Sequence, residues 1–108
     1  MEDFGFQKMQ EIQKELQEKY KDKWRLLSPQ IGRDSLLWMM IEAGEMADVI
    51  KKNGDSKIME EADVRKHFIE EMCDTLMYFN DVMLCYGISV EELRDIYLAK
   101  HRKNMERW

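Results

Sequence analysis

Pro29 is the only proline in this chain of 108 residues, and five glycines make up the rest of its backbone punctuation. A many-stranded sandwich or barrel needs a turn every ten residues or so, and so few turn formers cannot supply them. Long helices are the predicted alternative. The length is that of one ordinary domain, so residues 1–108 read as a single all-α unit. A hydrophobic share of 44% beside 36% charged residues fits a folded soluble chain, since disordered chains are poorer in apolar residues and membrane chains poorer in charge.

Apolar periodicity divides the chain into four predicted helices. Phe6, Met9, Ile12, Leu16 and Tyr20 recur at three- and four-residue steps and mark the first, over residues 3–23. The segment Leu26 to Gly32 carries the proline and is expected to be the longest connection. Asp34 or Ser35 then caps a second helix that ends at Gly54. After a polar stretch, Asp55 to Ala62, a third helix runs to Gly87 with apolar residues on nearly every side, the mark of the most enclosed helix of a bundle. Ser89-Val90-Glu91-Glu92 is a capping box that opens the fourth. The expected architecture is a four-helix bundle, and ten methionines with an apolar second helix suggest that subunit association completes it.

Charge and cysteine content narrow the setting. A formal charge of -5 with no run of Lys or Arg argues against a nucleic-acid polymer as partner. The longest apolar run, Leu36 to Ile41, is six residues against the roughly 20 that cross a bilayer, and Met1-Glu2-Asp3 does not open a secretion signal. Cys73 and Cys85 lie twelve positions apart on one predicted helix, hence about 18 Å apart and beyond disulfide reach. Both read as small buried apolar residues with reduced thiols, in a cytoplasmic protein with no membrane contact.

Two acidic doublets carry the chemistry: Glu42-x-x-Glu45 on the second helix and Glu71-x-x-Asp74 on the third. At about 100° per residue, positions i and i+3 lie about 60° apart, so each doublet projects from one face. The faces are not solvated stripes. Trp38, Ile41, Met46 and Val49 surround Glu42, and Phe68, Thr75, Tyr78 and Val82 flank Glu71. Burying carboxylates costs several kcal/mol each unless something positive compensates, and a hard divalent cation does so economically. Oxygen-only ligands without His or Cys indicate Mg²⁺, with Mn²⁺ as the substitute, over Zn²⁺. Mg²⁺ held by one or two carboxylates usually shares its coordination with substrate phosphates. Basic groups for those phosphates are at hand in Lys52, two turns beyond Glu45 on the same face, and in Lys100, Arg102, Lys103 and Arg107 near the C-terminus.

These residues together resemble the MazG-like nucleoside triphosphate pyrophosphohydrolases. Glu42-Ala43-Gly44-Glu45-Met46-Ala47-Asp48 looks like that family's first metal-binding helix, and Glu70 through Tyr78 like its second. Lys100 through Trp108 resembles its closing K-x-x-x-N-x-x-R segment. The resemblance runs from about Leu36 to Trp108, while residues 1–35 match no motif. It implies the MazG fold, dimers or tetramers, and Mg²⁺-dependent hydrolysis of a nucleoside triphosphate to a monophosphate and pyrophosphate. Glu42, Glu45, Glu71 and Asp74 would be the metal ligands and catalytic acids. Lys100, Asn104 and Arg107 would contact phosphates or brace the metal site, and Tyr78 and Trp38 the sugar or base. His67, one turn before Glu71, reads as surface or structural.

Three other readings remain open on sequence. Phosphoribosyl-ATP is an alternative substrate for the same four acids. A di-iron bundle would need Glu-x-x-His pairs, and neither His67 nor His101 follows a Glu by three. A non-catalytic helical binding module gives no reason to set acids among apolar residues on two helices.

Overall fold

The computed structural model describes residues 4–107. The described residues form five helices and no strand: α1 (Phe6–Lys19), α2 (Pro29–Asn53), α3 (Asp55–Glu60), α4 (Ala62–Cys85) and α5 (Val90–Arg107). The chain is all-α. Position 3, where the first helix was predicted to begin, and Trp108 of the closing motif lie outside the described residues.

Local chemistry sets the helix ends, in three places differently from the sequence expectation, the first being that α1 stops at Lys19 and not at residue 23. The second helix does not wait for Asp34 or Ser35. Ser28 caps it, its hydroxyl accepting from the Ile31 N–H at 3.3 Å, and Pro29 occupies the first turn, where a missing N–H costs nothing. The polar stretch after Gly54 is itself a short helix, α3, because Ile58 turns inward and is buried against its neighbours. Gly54 takes φ +83° as expected of a helix-ending glycine. Gly87 at φ +63° closes α4: the Ile88 N–H donates to the Met83 carbonyl at 2.8 Å and the Gly87 N–H to Leu84, a Schellman ending. Ser89 then caps α5 by accepting from the Glu92 N–H.

α2 and α4 pack along their lengths, and their contacts fix the direction. Gly32 meets Cys85 and Tyr86, Trp38 meets Tyr78, and Glu42 meets Glu71 and Asp74, so numbers rise along α2 as they fall along α4. The pair is antiparallel. A Cβ on Gly32 would stand 2.6 Å from the Tyr86 ring and 3.0 Å from the Cys85 Cβ, so the close approach requires glycine.

α1 lies across α4 with Phe6 edge-on to Phe79. Its inward face differs from the apolar stripe expected. Gln10 and Gln13 are its buried residues, while Ile12 is exposed. The amides are tolerable inside because they are bonded: Gln10 donates to the Ile88 carbonyl, and Gln13 and Gln17 donate to Asp81. α5 packs against α1 alone among the helices and buries none of its residues.

The result is open. The chain exposes 8603 Å², against about 6,400 Å² for a folded monomer of 13.1 kDa. Its radius of gyration is 16.3 Å where about 13 Å is usual for this length. No helix among the described residues is long and apolar enough to cross a membrane.

Candidate metal centre and adjoining cavity

The antiparallel pair brings acids from two helices to one point. Glu42 of α2 and Glu71 and Asp74 of α4 each offer a carboxylate oxygen, and the three oxygens lie within 4.8 Å of one another. Glu45, one turn along α2, stands outside this group and is exposed, although its charge reaches Glu42. The structure thus gathers three of the four sequence-nominated acids and leaves the fourth at the margin.

Crowded carboxylates repel, and Glu42 records it. A hydrogen bond with Glu71, then burial, then the charges of Glu71, Asp74 and Glu45 raise its pKa from 4.5 to about 6. The Glu71 Oε2 is buried with no hydrogen-bond partner, and an orphaned anionic oxygen is costly unless a positive charge sits beside it. His67 Nε2 is 3.9 Å from the Glu71 Oε1, too far for a hydrogen bond, on a side chain that is mostly exposed. Oxygen donors from three acids, one of them unsatisfied, fit a hard divalent cation in chemistry and in charge.

A cavity of about 560 Å³ opens from this cluster between α1, α2 and α4. Glu42 and Asp74 stand at one end and Asp81, Gln13 and Gln17 at the other. Trp38 and Tyr78 form the wall between, their ring centroids 5.9 Å apart and inclined at 55°. Burial first, then the charges of Glu42, Asp74 and Asp81, push the Tyr78 hydroxyl above its ordinary pKa, so it remains a neutral donor. Arg25 also lines the cavity, ion-paired with Asp34 and placed over the Trp38 ring at 6.0 Å.

The basic residues nominated from sequence stand elsewhere. Lys52 is exposed and ion-paired with Asp48 at 2.9 Å. Lys100, Asn104 and Arg107 are exposed on α5, and none lines the cavity. Cys73, expected to be buried, is exposed, because its side of α4 faces away from α2; Cys85 is buried as expected. Among the cavity residues not nominated as site residues are the polar Gln13, Gln17, Arg25 and Asp81. Asp81 carried a signal, since it follows Asp74 by seven residues and so returns to the same face two turns on. Gln13 and Gln17 carried little, because amides between charged residues read as solvated.

Fold and site together define a class: an all-α chain whose antiparallel helix pair holds a carboxylate cluster at one end of an aromatic-walled cavity. Comparison with protein-family models, curated proteins and solved structures finds no match for the chain.

Proposed function

We propose that the chain is a Mg²⁺-dependent nucleoside triphosphate pyrophosphohydrolase with the MazG fold, working as a homo-oligomer. The observation that supports this most is the convergence of Glu42, Glu71 and Asp74 beside a cavity of about 560 Å³ that Glu42 and Asp74 line. Those three residues would hold Mg²⁺, which when bound neutralises phosphate charge and lowers the pKa of a bound water. Water adds across the anhydride between the α- and β-phosphates, giving a monophosphate and pyrophosphate, and its proton passes to the carboxylates. Trp38 and Tyr78 would flank the sugar and base.

The phosphate-binding role that the motif resemblance gives to Lys100, Asn104 and Arg107 is not available within one chain, because α5 touches only α1. We assign it to the cavity of a second copy. The surplus of roughly 2,200 Å² of exposed surface over an ordinary monomer is enough for a stable interface of the obligate kind.

The test is pyrophosphate release with Mg²⁺ across a panel of ordinary and modified nucleoside triphosphates, with the nucleotide product identified. Monophosphate plus pyrophosphate is expected, and Glu71→Gln should reduce the rate by at least about a hundredfold while retaining helical content. Turnover of phosphoribosyl-ATP alone would move the assignment to that substrate. Mg²⁺ binding without turnover, or no binding at all, would favour a binding module.

A further inference from the structure

The far end of the cavity is built from a charge that the metal cluster does not use. Asp81 is 6% exposed and Gln13 5%, and both line the cavity with Gln17. The Gln13 and Gln17 amides donate to the same oxygen, Asp81 Oδ1, at 2.9 and 3.0 Å. No bond from a described residue falls on Oδ2, although an ionised carboxylate accepts about four hydrogen bonds. A brace between α1 and α4 would not need to open on a cavity. Gln10, which ties α1 to the turn just beyond α4 through the Ile88 carbonyl, is a brace of that kind and lies outside the lining. Two neutral amides instead fix the carboxylate's rotamer and leave one acceptor on the cavity side.

Position along α4 says what that acceptor meets. Asp74, Tyr78 and Asp81 follow at i, i+4 and i+7, so they share a face, with Asp81 about 10.5 Å beyond Asp74. That is comparable to the reach from an α-phosphate through a sugar to the far edge of a base. On α2 the matching positions are Glu42, Trp38 and Ser35, which line the same cavity in the same order. Resting on the pyrophosphohydrolase reading, we infer that Asp81, held by Gln13 and Gln17, is the specificity determinant for the base, accepting a hydrogen bond from an N–H on its pairing edge.

The substrate class is therefore a nucleotide whose base presents a ring N–H or exocyclic amine at that edge. A site built to bond such a group rejects the analogue lacking it, because its own polar atom is then left unpaired. Thymidine triphosphate is compared with N3-methylthymidine triphosphate, and deoxycytidine triphosphate with its N4,N4-dimethyl form. The unmodified member of at least one pair should be preferred by about tenfold or more in kcat/KM, mostly through KM. In Asp81→Asn the preference should collapse, and in Gln17→Met it should weaken, with helical content retained. Equal use of both members of each pair by the unaltered protein would overturn the inference, as would a preference that survives Asp81→Asn. The same nucleosides without phosphates are titrated against the fluorescence of Trp24 and Trp38, which both line the cavity. If no nucleotide is hydrolysed, the pyrophosphohydrolase reading fails, while a preference in this titration that Asp81→Asn removes would still sustain the recognition site.

Discussion

Glu42 ties the site to pH. Its pKa of about 6 in the folded chain, against 4.5 ordinarily, means that the folded state binds this proton more tightly than the unfolded state. The stability so gained is fully present below the ordinary value and is lost as pH rises through about 6. In metal-free buffer the melting temperature should fall between about pH 5 and pH 7.5, and Glu42→Gln, neutral throughout, should flatten that decline. Thermal denaturation followed by circular dichroism at both pH values checks this, and an unchanged slope in the variant would contradict the raised pKa of Glu42. Added Mg²⁺ should flatten the decline as well, because cation and proton compete for the same oxygens. Among single residues the sequence disclosed the acids well. Glu42, Glu71 and Asp74 were recognisable because acids at helical spacing among Trp, Met and Tyr are anomalous. Asp81 was visible by its spacing from Asp74, but its surroundings were not, because its compensation comes from Gln13 and Gln17 on a helix some 64 to 68 positions away.

Helix positions follow from capping and periodicity more than helix faces do. Gly54, Gly87 and Ser89 stop or start elements where sequence placed them, since positive φ and hydroxyl capping are local demands. Pro29 was taken for a connection although it begins α2, a position that proline and a preceding serine favour together. The face of α1 was misjudged because apolar spacing, which places Ile12 inside, cannot anticipate buried amides that find partners on α4 and just beyond it. The α2–α4 pairing makes an element-level prediction. Gly32→Ala places a methyl against Cys85 and the Tyr86 ring, whose hydroxyl donates to the Pro29 carbonyl. It should destabilise the fold by about 1–3 kcal/mol, lowering the melting temperature by roughly 4 °C or more. Gly44 has open space where its Cβ would go, so Gly44→Ala in the same helix is the matched control.

For the molecule as a whole, all-helical architecture followed from the scarcity of turn formers, and the methionines with the apolar second helix pointed to an incomplete bundle without saying which faces it would leave open. Periodicity reports that a face is apolar without saying which chain covers it. Leu37, Met40 and Ile41 on α2 and Ile96, Tyr97 and Met105 on α5 are all exposed in the single chain. Light scattering at micromolar concentration should return a multiple of 13.1 kDa. Sharing of α5 makes a sharper prediction. Glu71→Gln and a Lys100→Ala/Asn104→Ala double variant, each impaired alone, should recover roughly a quarter of full activity when co-refolded, because mixed pairs hold one intact cavity with one intact α5. Mixtures no more active than their components would place α5 outside the site. The open arm also has a consequence for symmetry. On the proposed sharing, each chain would carry one arm, α5, that gives and one cavity that receives, so two copies exchanging arms reciprocally would form a closed ring of two with no unfilled cavity. Any other rotation would pass the arm onward to a third chain, closing into a larger ring where the rotation closes and running on as a filament where it does not.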